Sequence, residues 1–103
     1  MQTFRYHIDS CGGAWLEVSD AVVAPLNIAE QISGLSRHFA GRFFLDSHGD
    51  TKLFLDAYRA RYGEPNIKHI LEKGESAINL FPVYDFERLN DRTRRALRLN
   101  RVA

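Results

Sequence analysis

A single cysteine, Cys11, leaves no route to an internal disulfide, so a reducing cytoplasm is the expected compartment. No apolar run approaches the ~20 residues that span a bilayer. The stretch from Met1 to Arg5 lacks the apolar core of a secretory signal. A membrane is therefore not among the expected partners. Net charge is scarce too. A formal +1 gives no global field that would favour nucleic acid or a basic partner. Gly-x-Gly-x-x-Gly, a phosphate loop and a Gly-x-Ser-x-Gly elbow are all missing. Repeats, linkers and low-complexity runs are missing as well. At 103 residues the chain makes one domain with one modest core. An enclosed pocket would consume much of that core, so a surface site is expected.

The residues that are present alternate between strand and helix grammar. Phe4, Tyr6 and Ile8 alternate with Arg5 and His7, a half-buried strand. The run from Asp9 to Gly13 supplies a turn, and Ala14 to Val18 returns as a second strand. Ser19 caps a short helix from Asp20 to Leu26, with Asn27 suited to a left-handed exit. A second hairpin is expected from Ile32 to Phe39 and Arg42 to Leu45. Asp50 or Thr51 is expected to cap the strongest helix, which runs to Tyr62 and is closed by Gly63 and Pro65. A third hairpin is expected from Asn66 to Glu72 and Ser76 to Phe81. From Asp85 the spacing of Phe86, Leu89, Thr93, Ala96 and Leu97 predicts a terminal helix. The expected fold is α+β: an antiparallel sheet of four to six strands, one central packed helix and an arginine-rich C-terminal helix. Residues 1–83 form the core and 84–103 the basic helix, all in one domain.

The N-terminal half resembles a group of small proteins carried by phages, plasmids and integrated elements. The likeness rests on Tyr6-His7-Ile8, Gly13-Ala14-Trp15-Leu16-Glu17-Val18, Ile32-Ser33-Gly34-Leu35-Ser36, and Phe44-Leu45-Asp46 with Asp50 and Phe54. It covers roughly residues 6–62. Where those proteins carry consecutive acids, this chain has Asp46-Ser47-His48-Gly49-Asp50. The arginine-rich end after Asp85 is an addition. The resemblance implies a setting in which small proteins bind and disable host defence machinery, CRISPR effector complexes included.

Candidate chemistry is sparse. His7, Asp9 and Cys11 lie close in sequence, but Cys11 falls in the turn, where a plain turn thiol is the simpler reading. Asp46, His48 and Asp50 alternate in a loop and form the one weak metal candidate; the simpler reading makes Asp50 a helix cap. His38 and His69 have no sequence-near partner and receive no role. Trp15 shares a face with Glu17, opposite Leu16 and Val18. It is either an exposed binding anchor or core beneath the terminal helix.

The C-terminal arginines carry the sharpest suggestion. Six of them, Arg88, Arg92, Arg94, Arg95, Arg98 and Arg101, stand against three acids between Tyr84 and Ala103, a net +3 that leaves −2 for residues 1–83. On one helix Arg88, Arg92 and Arg95 form a stripe, and Arg94, Arg98 and Arg101 a second. Arginine forks suit phosphates and carboxylates. The alternative is a solvated helix with local pairs to Glu87 and Asp91. These observations favour a non-catalytic, cofactor-free binding module, monomeric or homodimeric. Its expected partner is a host protein or nucleoprotein complex, with Trp15 and the arginines as the contact surface. A small nucleic-acid-binding protein is the alternative, and a metal- or cysteine-dependent hydrolase stands third.

Overall fold

The computed structural model describes residues 2–98. Strands β1 (Thr3–Asp9) and β2 (Ala14–Ser19) form the expected N-terminal hairpin, with His7 opposite Trp15 and Tyr6 opposite Leu16. The turn is held by its own aspartate: Asp9 Oδ1 accepts from the Cys11 N–H at 3.0 Å and the Gly13 N–H at 2.7 Å. Gly12 takes φ +94°, which a side chain would resist. Helix α1 (Asp20–Val23) continues into a single 3-10 turn, Ala24–Leu26, and Asn27 ends it in the left-handed conformation, φ 60°.

The second hairpin is shorter than the sequence predicts. Strand β3 spans only Arg37–Phe39, paired with β4 (Arg42–Asp46). The residues before it bend because Ser33 and Ser36 donate to Asp50 instead of extending along the sheet. Helix α2 (Asp50–Tyr62) runs to the expected end, where Gly63 closes it at φ 86°, but it starts earlier than expected: Gly49 takes the cap position and Asp50 lies in the first turn.

Strand β5 (Asn66–Glu72) corrects the antiparallel expectation. The five strands run β3-β4-β2-β1-β5, and β5 lies parallel to β1, so the sheet is mixed. The cause is topological. Strand β4 is antiparallel to β2, which is antiparallel to β1, and α2 is a crossover long enough to return β5 in the direction of β4. The predicted third hairpin is absent as well. Residues Ala77–Leu80 make a 3-10 turn, because Ser76 Oγ accepts from Ile78 N at 3.2 Å and Asp9 Oδ2 accepts from Ser76 N at 2.9 Å. That anchoring swings the chain across the sheet. Pro82 O then accepts from His38 N, and Tyr84 N donates to Ser36 O, so the segment runs beside the outer edge of β3.

The expected continuous terminal helix is also corrected. A 3-10 turn at Phe86–Arg88, capped by Asp85, is separated from α3 (Asp91–Leu97), whose cap is Asn90 accepting from Thr93 N at 2.8 Å. The principal core lies between one sheet face and the helices. Leu16, Phe43, Leu45, Phe54 and Val23 are fully buried in it, and Leu97 docks α3 against the same core. Phe4 meets the rings of Phe54 and Tyr58 edge-on, each at 5.2 Å. On the other sheet face, Trp15, Phe44 and Ile78 form a smaller cluster that packs with Phe81. Among the described residues no helix is long and apolar enough to cross a membrane.

Candidate functional site

Strand alternation puts His7, Glu17, Arg42 and Glu72 on the sheet face away from α2. His7 Nε2 lies 2.8 Å from Glu17 Oε1, and its Nδ1 lies 3.1 Å from Glu72 Oε1. Arg42 Nη1 donates to the other Glu17 oxygen. Burial pushes the Glu17 carboxyl upward, but the hydrogen bonds and charges of His7 and Arg42 outweigh it and hold the group below its ordinary value. The cluster thus ties β2, β1 and β5 together. Both imidazole nitrogens face carboxylates of the same network, so the ring's hydrogen-bonding capacity is spent on Glu17 and Glu72.

Asp9 shares this face but serves the fold. Backbone N–H groups of Ser76 and Gly13, then Cys11, stabilise its carboxylate and lower its pKa, against the upward push of burial. Cys11 is exposed in the turn, as the simpler reading has it, and bonds through its N–H to Asp9.

The metal candidates do not converge. Asp46 Oδ2 accepts from the N–H groups of His48 and Gly49 in its own loop. Asp50 is buried and points to Ser33 and Ser36, not to its own helix end, so it acts as a tether. Among the described residues no three His, Cys, Asp or Glu side chains are grouped to hold a metal ion.

Trp15 lies on the outer face as its alternation requires, yet it is only 7% exposed. The 3-10 turn 77–80 contributes Ile78 to its cluster, so the cover comes from this turn and not from the expected terminal helix. Of the two readings open for Trp15, its burial supports core and takes it out of the expected contact surface.

The arginine stripes fare differently: one is corrected, and the other falls partly outside the described residues. The first requires Arg88, Arg92 and Arg95 on one helix, but Arg88 belongs to the preceding turn and pairs with Asp85 at 3.4 Å. Arg94 pairs with Asp91 and donates to Glu87 O. Arg98 pairs with Glu30 at 2.9 Å and sits 4.7 Å above the Phe86 ring. Arg92 and Arg95 remain exposed on α3, without an ion pair among the described residues. Arg101 lies outside the described residues.

An apolar margin emerges that the sequence reading missed. Of the six exposed large apolar side chains described, four (Leu35, Phe39, Leu80 and Val83) lie in β3 and the segments flanking it. Phe39 stacks on Phe81 at 4.7 Å, and Val83 bridges to Arg37. The sequence signal is the apolar run Leu80-Phe81-Pro82-Val83, whose first two residues fall in the expected second strand of the third hairpin. Beside the margin an open groove of about 400 Å³ is lined by Glu30, Asp85 and Glu87 along with Val83 and Phe86. No family model matches the chain, and neither curated proteins nor solved structures show a significant match to it.

Proposed function

We propose that this chain is a non-catalytic binding module that grips a protein partner through the margin beside β3. The supporting observation is the concentration of Leu35, Phe39, Leu80 and Val83 at one side of the sheet, each about half exposed or more. Exposed apolar side chains grouped in this way, next to a polar groove, have the composition of an interface. The sharpest form of the proposal is a mobile-element protein that occupies a host defence complex such as a CRISPR effector. That form draws on the resemblance in residues 6–62. Its test is an interference assay with a purified effector complex. Wild-type protein should block target binding, and Leu80→Ser with Val83→Ser should weaken the block roughly ten-fold or more while leaving the fold intact. Equal inhibition by the wild type and the double variant would remove the margin from the interface. No inhibition by the wild type would remove this partner.

The second reading, a nucleic-acid contact through α3, is favoured by Arg92 and Arg95, which stand free of ion pairs among the described residues. It requires binding that falls steeply with salt. A gel shift without a complex at low salt ends it.

A further inference from the structure

At the far end of the sheet from that margin, β5 is an open edge. Asn66 N donates to Gln2 O, so the N–H groups of Asn66, Lys68, Ile70 and Glu72 point toward β1. The backbone groups of Ile67, His69 and Leu71 then face outward, and among the described residues no strand pairs with them. The strand is seven residues long and contains no proline. Leu71 is 79% exposed. Such an edge is a template for another strand unless its sequence guards it. Lys68 is the kind of residue that guards an edge, so the occupant must offer it a carboxylate.

We propose that the edge pairs with a second copy of itself, β5 against β5 in antiparallel register, with Ile70 on the symmetry axis. In that register Lys68 falls opposite Glu72 of the second copy, and the symmetry gives the pair twice. Ile70 meets Ile70 between the two ion pairs. These positions are non-hydrogen-bonded, which brings their side chains closest together. His69 and Leu71 form the hydrogen-bonded pair, and their outward N–H and C=O groups are the ones the edge leaves open. The rival register, with His69 on the axis, sets Lys68 against Ile70 and Glu72 against Asn66, so no ion pair crosses the interface. Charge complementarity therefore selects both the occupant and the register. The product is one continuous sheet of two five-stranded halves, with a β3 margin at each outer end.

Sedimentation equilibrium of the full chain tests the pairing. Wild type should show a concentration-dependent dimer. Lys68→Glu sets like charges opposite each other twice and should weaken the dimer about ten-fold or more, with an unchanged circular dichroism spectrum. A wild type that stays monomeric up to millimolar concentration, or a dimer indifferent to Lys68→Glu, overturns the proposal. Register is read by cysteine cross-linking in a Cys11→Ser background. Ile70→Cys should oxidise to a disulfide-linked dimer several-fold faster than His69→Cys. The reverse order overturns the register.

Discussion

One imidazole, that of His7, joins Glu17 at 2.8 Å on β2 to Glu72 at 3.1 Å on β5. A neutral ring has one N–H and can donate to only one of these carboxylates; the imidazolium donates to both. Either form gives the two acids a shared partner inside a partly buried network. His7→Ala should therefore cost about 1–3 kcal/mol at neutral pH, measured by urea unfolding, because two half-buried carboxylates lose a partner at once. A loss under about 0.5 kcal/mol would mean water replaces the ring without penalty.

Glu17 gives the network a pH signature. Burial alone would raise its pKa, but His7 and Arg42 bring it below the ordinary glutamate value. A carboxyl whose folded pKa is depressed adds stability above its unfolded pKa and loses it as pH falls through the folded one. The gap in urea midpoint between wild type and Glu17→Gln should be full at neutral pH. It should start to close near the ordinary value of about 4.3 and vanish in stronger acid. A gap of constant size from neutrality to about pH 3 would contradict this assignment.

Much of the scaffold was legible locally. The hairpin at Asp9–Gly13, the helix Asp50–Tyr62 and the left-handed Asn27 each announce themselves within a few residues, because turns and caps are local chemistry. The parallel placement of β5 was not, since a strand's sequence does not name its neighbour. Ser76–Phe81 was misread for a related reason. Ile78 and Leu80 alternate as in a strand, but the acceptor that turns the segment is Asp9, 67 positions away. The break in the terminal helix had a local signal in Asn90, a strong cap ahead of Asp91, and the apolar spacing masked it. The charged cluster draws on β1, β2, β4 and β5. Only the diagonal from His7 to Glu17 was within reach of hairpin reasoning.

Asp50 gathers three donors, Ser33 N, Ser33 Oγ and Ser36 Oγ, at distances from 2.6 to 3.1 Å. Asp50→Ala should cost about 2–4 kcal/mol, because those donors, the buried Ser36 hydroxyl among them, lose their acceptor. The same geometry denies the carboxylate to a cation. Calcium, manganese or zinc should leave the thermal midpoint within a degree or so, measured against chelator, since a ligand that binds only the folded chain would raise it. A metal-dependent rise of several degrees would reinstate the loop as a metal site.

The arginines divide by their contacts. Arg98 holds Glu30 and covers Phe86, so Arg98→Ala should cost roughly 1 kcal/mol. Replacing Arg92 and Arg95 together with alanine should change stability by no more than about 0.5 kcal/mol, as neither has an ion pair to lose among the described residues. If a low-salt nucleic-acid complex exists, this same double variant should reduce its salt slope by about two. Thermal unfolding and a salt titration read both effects.

Trp15 reports on the outer face by fluorescence. Its indole packs with Phe44 and Ile78, so emission should be blue-shifted and poorly quenched by iodide in the native protein. Gly13 sets the clearance for that ring. A Cβ at Gly13 would fall 2.7 Å from Trp15 Cζ3 and 2.9 Å from Asp9 Oδ2, so the ring or the turn must move. Gly13→Ala should cost about 1–3 kcal/mol. It should also shift the emission to the red, because displacing the indole opens the cluster to water. The strain and the spectral change have one cause, so they must appear together. A destabilised variant with native emission would place the strain in the Asp9 turn alone, and a stable variant would show that the ring has room to give.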